Sequence, residues 1–160
     1  MSQEDIVRRA MLALLLCLFA SACLGGATSD RLTFRAGGFS IEPLEGFQVL
    51  AMTLPVSDAF APNVNVQIQP YPGTLDDYVA LSKQQSREHG LDIVREAQNG
   101  ESGYVIEYKG SMAGRDMHWH AKAELRQNKV YLATATALEG QWPSVSDKLK
   151  ACVDSLQVAQ

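Results

Sequence analysis

An α+β domain is what this sequence predicts, and three observations carry the prediction: a strand of faultless alternation, a three-strand meander joined by tight turns, and two helices with apolar stripes. The 160 residues are 46% hydrophobic and 20% charged, which fits one globular domain. The net charge of −4 offers nothing to attract nucleic acid.

The chain opens on "MSQEDIVRRAMLALLLCLFASAC", where Arg8 and Arg9 precede an apolar run from Ala10 to Ala20 and then small residues. This is the pattern of a secretory signal, too short to span a bilayer comfortably. "ASA" before Cys23 fits an ordinary cleavage site, and Cys23 in the first mature position fits a bacterial lipobox, with Ala20 where Leu is usual. Both readings cut the same bond. The expected boundaries are a signal peptide at 1–22, a lipidated Cys23 with its tether at 23–32, and a domain at 33–160. Removing 1–22 takes two basic and two acidic residues, so the charge stays at −4. The tether "LGGATSDR" is small and polar, and eight such residues reach at most about 28 Å. The partners expected are therefore the membrane, through Cys23, and an envelope protein the sequence does not name. Leu24 after the cysteine points, by analogy with enteric sorting, to the outer membrane.

"FSIEP" and "FQVLAMTLP" read as short strands around the turn "LEG". In "NVNVQIQP", Val64, Val66 and Ile68 share one side and Asn63, Asn65, Gln67 and Gln69 the other, so this is a half-buried strand that Pro70 ends. Thr74 is the N-cap of a helix over 75–89, with Asp76 and Asp77 in its first turn, Gly90 as its stop, and Leu75, Tyr78, Val79 and Ser82 facing inward. A short strand, "LDIVREA", leads into the meander at 103–110, 115–126 and 129–138.

With Met112 and Ala113 as the first turn, Tyr108 pairs with Met117, Ile106 with Trp119 and Tyr104 with Ala121. With Gln127 and Asn128 as the second, Leu125 pairs with Val130, Ala123 with Leu132 and Trp119 with Thr136, on the same face. Glu107, His118, His120, Lys122, Glu124, Tyr131, Ala133, Ala135 and Ala137 fall on the opposite face. A second helix closes the chain, with Trp142, Val145, Leu149, Cys152, Val153 and Leu156 on its stripe and Pro143 in its first turn. Trp142 should anchor it to the sheet, and Cys152 reads as a small buried hydrophobe.

The segments "FAPNVNVQIQPYPGTLDDYV", "GYVIEYKGSMAGRDMHWHAKAELRQNKVYLATATAL" and "CVDSLQV" resemble the PsbP-like superfamily, and within it the DcrB-type bacterial lipoproteins. The resemblance covers most of residues 39–158. It implies a single α/β/α sandwich: a twisted antiparallel sheet of about six strands with two main helices, in a superfamily known for binding and assembly rather than catalysis. It supplies no catalytic residues.

No G-x-S-x-G, C-x-x-C, S-x-x-K or H-E-x-x-H occurs, and no glycine-rich loop opens a helix. No catalytic residue and no cofactor is expected. His118 and His120 point to one side of a strand, with Glu107 on the neighbouring strand as a third potential metal ligand. A polar, solvent-facing sheet surface explains the same three residues, so no metal site is expected, and exchanging both histidines for Gln should cost no more than about 1 kcal/mol. The alanine row beside them leaves space for a helix of the domain or for a partner. A membrane-anchored periplasmic binding or assembly module follows, non-enzymatic; the alternatives are a metal-binding envelope protein using His118 and His120, and an envelope hydrolase.

Overall fold

The structure, a computed structural model, describes residues 32–34, 39–41 and 49–158. The signal segment, Cys23, the tether and the "LEG" turn lie outside the described residues. The chain divides into two units, residues 1–48 and 49–160. In the first, β1 (Leu32–Phe34) pairs antiparallel with β2 (Phe39–Ile41), Phe34 opposite Phe39. The described part of "FSIEP" thus joins the strand just before it and not the main sheet; only four residues, two of them glycine, separate the two strands, so this pairing closes the shorter loop.

The second unit is built on a six-stranded antiparallel sheet in the order β3-β4-β8-β7-β6-β5. Its strands are β3 (Val49–Thr53), β4 (Asn63–Pro70), β5 (Asp92–Asn99), β6 (Gly103–Met112), β7 (Arg115–Arg126) and β8 (Lys129–Leu138). Helix α1 (Leu75–Glu88) connects β4 to β5, and α2 (Trp142–Asp154) follows β8. This is the α/β/α sandwich expected, with α1 over β5 and β6 on one face and α2 over β4, β7 and β8 on the other.

Local chemistry sets most boundaries. Thr74 and Asp77 form a reciprocal capping box, the Thr74 hydroxyl accepting from the Asp77 amide at 3.1 Å. Leu75 and Tyr78 are buried as expected, Val79 and Ser82 are half-buried, and Ser86 completes the inner stripe. The second hairpin turn falls on Gln127 and Asn128, with φ of 48° and 58°, and Leu125, Ala123 and Trp119 meet Val130, Leu132 and Thr136. These left-handed values at both positions are those of a type I′ turn, whose twist matches the strands it joins.

The first hairpin departs from expectation. Met112 pairs with Arg115, so the turn residues are Ala113 and Gly114, at φ 52° and 74°, one position further along. A two-residue I′ turn needs positive φ twice, and glycine takes it without steric cost, so Gly114 draws the turn to itself. Every pair shifts by two: Tyr108 opposes Trp119, Ile106 opposes Ala121, and Tyr104 opposes Ala123. A slip of two returns each side chain to its original face. The new register stacks Tyr108 on Trp119, ring centroids 5.2 Å apart, within the core beneath α1.

Beneath α2, Ala133, Ala135 and Ala137 of β8 pack with Val64 of β4 and with Trp142, Leu149 and Val153 of the helix. The alanine row is therefore covered by the chain's own helix. Small side chains let the helix approach, and its apolar stripe fills the space they leave.

Candidate functional site

Next to the alanine row on the same face runs a row of ionisable side chains, and α2 covers it too. The pleat of β7 puts His118, His120 and Lys122 on this side, directly opposite Ala137, Ala135 and Ala133 of β8. On β6, Lys109 stands opposite His118 and Glu107 opposite His120. The contact of Glu107 with His118 is accordingly a diagonal one, a consequence of the shift by two in the β6–β7 register.

These side chains are buried: His118 and His120 are each 5% exposed, Lys122 6% and Glu107 7%. The expectation of a solvent-facing polar surface is corrected by the helix that lies across it. A sheet face can carry charges under a helix only if each is matched, because an unpaired buried charge costs several kcal/mol.

The matching is centred on Glu107. Its Oε1 contacts His118 Nε2 at 2.9 Å and accepts from Trp142 Nε1 at 3.3 Å, while its Oε2 accepts from Lys150 Nζ at 2.9 Å. Burial pushes the carboxyl up, yet Lys150 and His118 outweigh it and hold Glu107 below the usual carboxylate range. The second nitrogen of His118 meets Glu139 Oε2 at 2.5 Å, and Lys109 approaches the same carboxylate at 3.5 Å. Glu139 is likewise held low: partial burial raises it, and the neighbouring His118 and Lys109 more than reverse that. His120 Nε2 contacts Asp154 Oδ1 at 2.8 Å, and Lys122 Nζ donates to the backbone oxygens of Asp154 and Leu156 at 3.2 and 2.8 Å.

All three sequence-level candidates thus meet in one cluster, but among the described residues no group of three or more His, Cys, Asp or Glu side chains is arranged to hold a metal ion. Three of the four imidazole nitrogens meet carboxylates, and Lys150 occupies the Glu107 oxygen that faces His120. Among the described residues neither ring nitrogen of either histidine meets a hydroxyl or a thiol. Cys152, half-buried, packs against the apolar cluster as its stripe position implied.

Sequence reasoning passed over Glu139, Lys150 and Asp154. A signal for two of them existed: Lys150 and Asp154 continue the four-residue spacing from Trp142, along the margin of the apolar stripe. Glu139 follows β8 directly and carries no periodicity that would mark it.

Among the described residues no helix is long and apolar enough to cross a membrane. A family model described as PsbP matches residues 69–158, which includes the whole of this cluster. Among solved structures, PA94 of Pseudomonas aeruginosa, a protein of unknown function, superposes with a TM-score of 0.63 at 17% identity, over 84% of this chain and 99% of that one. The solution structure of PsbP from the cyanobacterium Synechocystis sp. PCC 6803 gives 0.45 at 17% identity, over 89% and 99%. LpqN of Mycobacterium tuberculosis, involved in cell envelope biogenesis, gives 0.43 at 12% identity, over 66% and 76%. Only the first superposition is close enough to bear on the fold. No curated protein sequence matches the chain significantly.

Proposed function

We propose, from the premise that this chain belongs to the PsbP family, that it is a non-catalytic accessory module, exported and held by lipid on Cys23 to the bacterial envelope, where it binds or helps assemble an envelope protein. One observation carries the non-catalytic reading: the side chains richest in chemistry, His118, His120 and Glu107, are consumed in seating α2. An enzyme needs convergent groups left free to meet a substrate. The metal-binding alternative draws no support from a cluster whose nitrogens face carboxylates and whose central carboxylate already holds an ammonium group.

Export and anchoring rest on the sequence "RRAMLALLLCLFASAC". Lipid chains contribute about 0.8 kcal/mol per buried CH₂, so several of them hold a domain firmly on a short tether. Closer kinship with the DcrB-type lipoproteins, and the outer membrane as the destination, belong to the same reading. Metabolic labelling with a palmitate analogue, together with membrane fractionation of the parent and of Cys23→Ser, tests the anchor. Label on the parent and a soluble, unlabelled variant are expected; an unmodified Cys23 in the parent, or a variant that stays in the membrane, defeats it. Crosslinking in intact envelopes then identifies the partner.

A further inference from the structure

The two edge strands of the six-stranded sheet are finished differently. At one end, β5 carries Asp92, Arg95 and Glu96, and its register against β6 shifts between Ile93 and Arg95. Charge and bulge together keep a foreign strand off an exposed edge. At the other end, β3 has no charged residue and no proline, and it runs against β4 without a shift. Among the described residues no strand pairs with its outer side. Alternate residues of a strand turn their N–H and C=O groups that way, and such a row is a template for another strand.

Exposed apolar side chains gather at the same edge. Ala51 and Thr53 are exposed, and Met52, opposite Val64 of the core beneath α2, is 37% exposed. Val56, just beyond the strand, is 71% exposed. Of the three large apolar side chains exposed among the described residues, two therefore lie on β3 or beside it.

The sequence of β3 is complementary to itself. Two copies of an edge strand related by a two-fold axis normal to the sheet run antiparallel, and opposed residues share a face. With the axis at Ala51, all five residues of Val49–Thr53 find partners: Ala51 meets Ala51, Met52 meets the second copy's Leu50, and Thr53 meets its Val49. No charges are opposed, and the outer pair is β-branched on both sides. The register serves whichever alternate set of residues turns outward, since the odd positions pair with odd and the even with even.

We propose that the outer edge of β3 docks a second copy of this chain, β3 against β3 with Ala51 at the two-fold axis, so that two sheets become one. Five residues a side bury less than the roughly 1,000 Å² of a stable assembly, so the pairing is weak and grows with concentration.

Disulfide crosslinking of the purified full chain with copper phenanthroline, at about 10 and about 100 µM, tests this over the range a weak pairing spans. Half-buried Cys152 is replaced by Ser throughout, and that chain supplies the background. Ala51→Cys should give a covalent dimer at about fivefold over background or more at the higher concentration, because directly opposed Cα atoms lie within disulfide reach. Thr53→Cys alone should stay at background, since the axis sets its two copies about 13 Å apart. Mixed with Val49→Cys, it should link. Met52→Lys gives β3 the kind of defence β5 has, and should return Ala51→Cys to background with the urea midpoint unchanged. Thr53→Lys takes its place if Met52→Lys lowers that midpoint. Ala51→Cys at background, Thr53→Cys alone linking as well as Ala51→Cys, or a crosslink that survives the folded lysine variant overturns the proposal.

Discussion

The imidazole of His118 lies flat against the indole of Trp142, ring centroids 4.1 Å apart and planes 12° from parallel, and both rings point a nitrogen at the same oxygen of Glu107. A residue of the sheet and the first residue of the terminal helix thus share one acceptor. Packing and charge pairing are joined at this point, and mutations should separate them.

Trp142→Ala removes a buried aromatic side chain and one donor to Glu107. A loss of about 3–5 kcal/mol is expected, read as a sharp fall in the urea midpoint. Trp142→Phe keeps an aromatic ring against His118 but loses the N–H and the five-membered part of the indole, so about 1–3 kcal/mol is expected. Equal losses in the two variants would mean that the ring kept by Phe contributes nothing.

Replacing both His118 and His120 by Gln should cost about 3 kcal/mol, well above the surface-like value that the sequence suggests, because Glu107, Glu139 and Asp154 each lose a partner under a helix. Urea unfolding of the double variant decides between the two figures. Zinc titration of parent and variant by calorimetry should show no tight stoichiometric site in either; submicromolar binding that vanishes in the variant would move the function to metal handling.

Acid should destabilise the fold through Glu107 and Glu139. Both carboxyls lie below their ordinary value of about 4.5 when folded, so the unfolded chain takes up protons first as the pH falls. The stability they contribute is whole above that value and is lost as pH drops through their lower, folded values. Urea midpoints measured from neutral pH downward should fall in this range, and the fall should be shallower in Glu107→Gln. An identical slope in parent and variant would remove Glu107 from the account.

Two glycines should resist substitution for different reasons. Gly114 holds φ of 74° in the β6–β7 turn with open space around it, so Gly114→Ala should cost about 1 kcal/mol from backbone strain alone. At Gly103 an added Cβ would sit 2.4 Å from the backbone oxygen of Asn99, and Gly103→Ala must push the β5–β6 connection apart, at about 1–3 kcal/mol. Thermal melts of the two variants rank them.

The elements of the second unit were legible because their signals are local. Alternation in "NVNVQIQP", the Thr74 cap and the Gln127–Asn128 turn each depend on a few adjacent residues, and each falls where the sequence places it. The Ala113–Gly114 turn was misplaced because two candidate dipeptides adjoin, and only the positive φ of both turn residues chooses between them. The site was half legible: Glu107, His118 and His120 share a face by period alone, but their burial depends on where α2 comes to rest. A polar row opposite alanines looks the same in sequence whether water or a helix covers it. Lys150 and Asp154, which decide the matter, are more than 30 residues from the side chains they meet, Glu107 and His120.

Lys122 sets how the chain leaves the fold. Its ammonium group, carried by the sheet, gathers the carbonyl oxygens of Asp154 and Leu156, which the end of α2 would otherwise leave open. The exit direction after the helix is thereby fixed from below and not by the helix's own sequence, which has neither a glycine stop nor a basic last turn. A reporter fused after Val158 would emerge at a set point beside β7, while a chain cut back to Ser155 would leave the buried ammonium group with Glu124 and one of its two carbonyl ligands.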